Sequence, residues 1–148
     1  MSGTTATTVA SLAGVGGVTL GSATLTIAQG SGTLSGIVQG LGGLVIGGGT
    51  QTLSATNTYQ GATTIDSGAT LVMSGAGSIA SPSQVTDNGT LEFSNSSAGW
   101  SAPIQGAGGV TVGAGSATLG SVNTYTGTTT IVGGATLSLS GSGSIASS

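Results

Sequence analysis

A chain of 148 residues with no Lys, Arg or His, and with only Asp66, Asp87 and Glu92 as acids, has a net charge of −3 and nothing to neutralise phosphates. That excludes nucleic acid and anionic lipid as partners held by charge, and the absence of cysteine excludes a disulfide framework. Charged residues make up 2% of the chain and hydrophobic ones 36% at regular spacing, which fits one ordered domain with a thin core rather than a disordered polymer.

Residues 1–8, MSGTTATT, are small and polar and read as a frayed terminus or a makeshift first strand. They lack the basic start and apolar run of a secretory signal, and no apolar window of about 18 residues marks a membrane helix. No membrane insertion is therefore expected, and an exported form would be a mature segment with an added Met. Val18, Leu20, Leu25 and Ile27 then alternate with threonines, which predicts strands with those four side chains inward.

Residues 39–81 return at 105–147, 66 positions later, with no gap and 26 of 43 positions identical. Self-similarity at a fixed period, with alternating apolar residues and Gly-rich breaks, marks a stacked architecture in which each unit needs its neighbours to bury its apolar face. Because 14–21 (GVGGVTLG) resembles 106–113 (GAGGVTVG), residues 1–38 read as a partial N-terminal repeat, 39–104 as a whole one and 105–148 as a truncated one. All three belong to a single solenoid domain.

Thr-Leu pairs at 33–34, 52–53, 70–71, 90–91, 118–119 and 136–137 set a finer beat, several of them preceded by a Gly-containing turn. The expectation is an all-β solenoid of six to seven coils, about 22 residues each and three to a repeat, forming a rod roughly 30 Å long. Inward pairs are Leu44/Ile46, Leu71/Met73, Leu91/Phe93, Val110/Val112 and Leu137/Leu139, with Thr70, Val72, Thr90, Glu92, Thr136 and Ser138 outward. Pro82 and Pro103 mark the irregular stretches 81–84 and 95–105, and SNSSAGWSAPIQ (94–105) is the expected protruding loop.

Acid–base catalysis draws on His, Lys or paired carboxylates, and three scattered acids give it little footing, so no enzyme is expected. Asp66 and Asp87 precede similar turns about one coil apart, so they could stack on the outside and bind Ca²⁺ or share a proton. The competing reading has each Asp bonded to its own turn, and Val132 in place of Asp66 in the second repeat favours it; no metal site is expected. The clusters Gly47-Gly48-Gly49 and Gly106-Ala107-Gly108-Gly109 lack the Lys and the helix of a phosphate loop, so they are turns and imply no cofactor.

Two stretches, NTYQGATTIDSGATL (57–71) and NTYTGTTTIVGGATL (123–137), carry the most shared residues. Asn57, Tyr59 and Gly61, with Asn123, Tyr125 and Gly127, are expected to build a repeat corner, the asparagines bridging backbone groups and the tyrosines covering a coil edge. Trp100, Tyr59 and Tyr125 are the aromatic candidates for ligand contact, against packing as the alternative. Outward threonines on successive coils could also order water as a flat ladder, although Thr is in any case a good strand former.

The block Asn57-Thr58-Tyr59-x-Gly61-x-Thr63-x-Ile65-x-x-Gly68-x-x-Leu71, followed by Asp87-Asn88-Gly89-Thr90-Leu91-Glu92-Phe93, resembles the autotransporter-associated β-strand repeat of bacterial outer-membrane autotransporter passengers, over most of residues 14–148. The resemblance implies a right-handed parallel β-helix at the bacterial cell surface, carried out by a C-terminal barrel and used as a stalk or adhesin. Separately, the open ladder edges of a solenoid almost without charge lead to a second expectation, copies stacked end to end into extracellular fibres, and a host or surface glycan or protein is the other expected partner.

Overall fold

The computed structural model describes residues 6–79 and 84–145. The alternation of apolar and β-branched residues forms strands throughout, and no helix occurs among the described residues. The strands pair only in parallel and stack as a β-solenoid of about seven turns. Three faces enclose the core. The first is a six-stranded sheet of Thr7–Val9, Leu25–Ile27, Leu44–Ile46, Thr63–Ile65, Val85–Asp87 and Ile104–Gln105. The second runs through Thr33–Leu34, Thr50–Leu53, Thr70–Ser74, the first halves of Thr90–Trp100 and Gly109–Leu119, and Thr129–Ile131. The third holds Val18–Thr19 beside Val38–Gln39, Thr56–Asn57 beside Ser78–Ile79, and then the second halves of the two 11-residue strands with Thr136–Leu139.

Both side chains of an inward pair fill the interior wherever another coil covers them. Leu44, Ile46, Leu71, Met73, Leu91, Phe93, Val110 and Val112 are buried, as their alternation predicts. Leu139 departs from that expectation at 49% exposed, and Leu137 is only partly buried, because no coil among the described residues covers them. Residues 94–105 do not protrude. Thr90–Trp100 is one strand that turns the corner between two faces through register shifts after Phe93 and Asn95. Ala98, Trp100, Ala102 and Ile104 all point inward, a strict alternation that Gly99, Ser101 and Pro103 disguise as loop composition. Pro82 lies outside the described residues.

The coil is shorter than the repeat suggests. Paired residues on the first face are 18, 19, 19, 22 and 19 apart (Thr7↔Leu25↔Leu44↔Thr63↔Val85↔Ile104). A 66-residue repeat therefore spans three coils and one further face, not three coils of about 22. Its second copy is accordingly turned by one face: Thr63–Ile65 lies in the first sheet, but its counterpart Thr129–Ile131 pairs with Gly109–Leu119 on the second. Likewise Val38–Gln39 lies on the third face and its counterpart Ile104–Gln105 on the first. A triangular coil permits this because each face asks only for inward alternation, which every segment supplies. One repeat advances the rod by about 16 Å, from three and a third coils at about 4.8 Å each.

Neighbouring coils touch backbone to backbone at the corners. A Cβ on Gly61 would fall 2.5 Å from the carbonyl of Gly42, and Gly127 meets Gly108 in the same way. The repeat-corner glycines are thus fixed by close approach, neither having a positive φ. Gly61→Ala is expected to destabilise the fold by about 2 kcal/mol or more through overpacking. Gly133→Ala, where the added methyl meets open space, is expected to change stability by less than about 1 kcal/mol; circular dichroism during urea unfolding distinguishes the two.

Candidate functional site

Asn57 sits fully buried at a corner of the third face and joins three successive coils. Its Oδ1 accepts a hydrogen bond from the Val38 N–H of the coil below at 2.9 Å. Its Nδ2 donates to Ala55 in its own coil at 2.8 Å and to Ser78 in the coil above at 3.0 Å. Asn123 repeats the arrangement one face round, accepting from Ile104 N–H at 3.0 Å and donating to the carbonyls of Ser121 and Ser144 at 2.9 and 2.6 Å. One acceptor and two donors thus satisfy backbone groups that the corner leaves outside the ladder.

Two residues on, each tyrosine lies inside the solenoid and not over a coil edge. Tyr59 stands over Gly40, and Tyr125 over Gly106. Both glycines have positive φ, 116° and 113°, and leave the space that the ring fills. Tyr59 Oη shares a 2.6 Å hydrogen bond with Thr63 Oγ1, and Tyr125 Oη a 2.7 Å bond with Thr129 Oγ1. Burial pushes both phenols above their usual range, against the opposing effect of those threonine bonds.

Trp100 is 3% exposed, with its ring edge-on to Phe93 at a centroid distance of 5.1 Å and an angle of 74°. All three aromatic candidates for ligand contact are therefore core residues and present no ring face to a sugar. Gln51 is a fully buried polar residue that the sequence gives no reason to single out, since the second repeat has Ala117 in its place. Its Nε2 lies within 2.8 and 3.0 Å of the carbonyls of Leu12 and Gly32 in the coils below.

The acids do not stack. Thr63–Ile65 aligns with Val85–Asp87, so Asp87 lies over Ile65 and points inward, fully buried, while Asp66 is exposed. Glu92 points outward and accepts a 2.6 Å bond from Ser94 Oγ. Asp87 Oδ1 accepts from the Gly89 N–H at 3.0 Å, as a turn-forming Asp would, but Oδ2 has no partner. Burial raises this carboxyl to about 6 from its ordinary value of 3.8, with the backbone N–H groups of Gly89 and Leu91 opposing the shift. Among the described residues no group of three or more acids or other ligating side chains could hold a metal ion.

A shallow groove of about 480 Å³ lies on the flank of the first two coils, between Val15, Gly17 and Thr19 on one and Ser35, Gly36, Ile37 and Gln39 on the next. No ionisable side chain lines it, so it offers shape and a few hydroxyls. No family model, no characterised protein and no solved structure matches the chain.

Asn57→Ala leaves the buried Val38 N–H and the Ser78 carbonyl unpaired and is expected to cost about 3 kcal/mol in urea unfolding. Trp100→Ala should cost a similar 3–5 kcal/mol, roughly the range for emptying a large core position. A Trp100→Ala variant that kept full stability would contradict its place in the core.

Proposed function

We propose that this chain is a structural rod module, a β-helical stem that spaces or displays other elements at a bacterial cell surface without catalysing a reaction. The observation that carries this reading is how the last coil compares with the previous repeat. Ile131, Leu137 and Leu139 are exposed or half-exposed, whereas their counterparts Ile65, Leu71 and Met73 are fully buried under the next coil. The same residues are core wherever a further coil covers them, as in an axially stacked array whose units bury one another's apolar faces. Its interior is filled by side chains, which suits a load-bearing stem. The cell-surface setting is supported by the resemblance of 57–71 and 87–93 to the autotransporter repeat.

A second reading has copies of the chain supplying the next coil to one another, as subunits of an extracellular fibre. The apolar residues Ile131, Val132, Leu139 and Ile145, 43–50% exposed around the last coil, favour it, as does the lack of charge that normally blunts an open strand edge. A glycan-binding adhesin would have to work through outward hydroxyls and amides, since the three aromatic candidates are buried.

Duplicating residues 39–104 in tandem tests the stem. The expected product is a single rod about 16 Å longer and no wider, read by small-angle scattering; a bead-like second body would refute it. Sedimentation at high concentration separates the readings. Filaments that Leu139→Lys abolishes support the fibre, and a monomeric rod supports the stem.

A further inference from the structure

Four coils stack one inward column on the first face: Ile27, Ile46, Ile65 and then Asp87. A carboxylate takes the place of a fully buried isoleucine. Its surroundings are closed. Gly89 donates to Oδ1, the Gly108 N–H donates to the Asp87 backbone carbonyl at 2.7 Å, and Gly106 stands directly above. A methyl group at Gly108 would overlap the carboxylate itself. The chain contains no Lys, Arg or His, so no side chain of its own can supply a countercharge. The Leu91 N–H also faces the carboxyl, but Oδ2 makes no hydrogen bond of its own. A buried ion with neither countercharge nor complete hydrogen bonding is costly, and in a space this tight the ligand that can neutralise it is a proton.

We propose that Asp87 is a protonation-operated joint: when its carboxyl is neutral, the coils from Val85 onward are locked onto those before them, and when it ionises that junction loosens. The titratable groups around it do not compensate. Tyr125, two coils above, is a phenol whose ionisation the Asp87 charge itself opposes. Asp66 is exposed beside Ile65 in the coil below, and Glu92 points outward on the next face; both are acids. The joint lies in the coil that follows the Asn57 clamp, so loosening it would free the C-terminal coils while leaving that clamp and the N-terminal coils paired.

The sign follows from the direction of the shift. The folded carboxyl, raised to about 6, holds its proton more tightly than the unfolded one at 3.8. Stability is therefore greatest below about pH 4, falls as the pH rises towards 6, and stays lower above that. The folding constant should drop on the order of a hundredfold across the window. Trp100 lies in the coil that Asp87 opens and is the only tryptophan, so its fluorescence reports on the joint.

Urea unfolding followed by that fluorescence, from pH 4 to 8, is expected to show lower midpoints at neutral pH in the native chain. The pH dependence should vanish in Asp87→Asn and persist in Asp66→Asn and Glu92→Gln. Stability that rises with pH, or an unchanged profile in Asp87→Asn, would overturn the proposal. If Asp87→Asn fails to fold, the carboxyl carbon shift of Asp87 in the native chain decides by NMR: a midpoint near 6 supports the joint, and one below 4.5 refutes it.

Discussion

A single primary amide ties the architecture together. Coils of a solenoid pair through their strands, but the chain must leave the ladder at each corner, where backbone N–H and C=O groups lose their partners. At Asn57 one side chain meets a donor from the coil below, an acceptor in its own coil and another in the coil above. Its exposure is zero, so water offers no substitute. Ser or Thr could not do this, since a hydroxyl carries one donor where the corner needs two. The glycine–tyrosine stack beside it follows from the same geometry: the chain bends at Gly40 with positive φ, and Tyr59 fills the space left above it.

The threefold shape of the coil explains how a gapless sequence repeat can be structurally out of step. Each face is a short strand with its apolar residues inward, so any face can accept any segment of the repeat. With coils of 18 to 22 residues, 66 residues carry the pattern on by one extra face. Asn57 and Asn123 therefore occupy different faces, each making the same three kinds of bond. In a longer array of such repeats, a feature on the outside of one would reappear a third of a turn round on the next and return to its first face after three. A rod built this way shows similar surfaces in all lateral directions, which suits a stem better than a one-sided binding face.

The near-absence of charge shapes the interior more than the surface. In most proteins a buried carboxylate is answered by an Arg, Lys or His, but here none exists to answer Asp87. Relief must come from backbone N–H groups and from protonation, which is why burial dominates the behaviour of its carboxyl. Tyr59, Tyr125 and Trp100, the residues whose chemistry most invites a ligand, are instead the largest pieces of filling in a narrow core.

The sequence by itself determined the β-solenoid, most of the inward apolar positions and the bridging role of Asn57 and Asn123. Those are local matters: a strand alternates with period two, and a motif repeated in sequence makes the same local bonds wherever it lies. The direction of Asp87 was also legible in principle, because alternation from Val85 turns it inward, whereas the likeness of Asp66-Ser67-Gly68 to Asp87-Asn88-Gly89 points the other way. Only the tertiary structure decided the length of a coil, the turn of one face between repeats, and the burial of Gln51 and Trp100. Those depend on how many residues each corner takes before the next strand finds its register, and corner length is set by contacts between coils far apart in sequence.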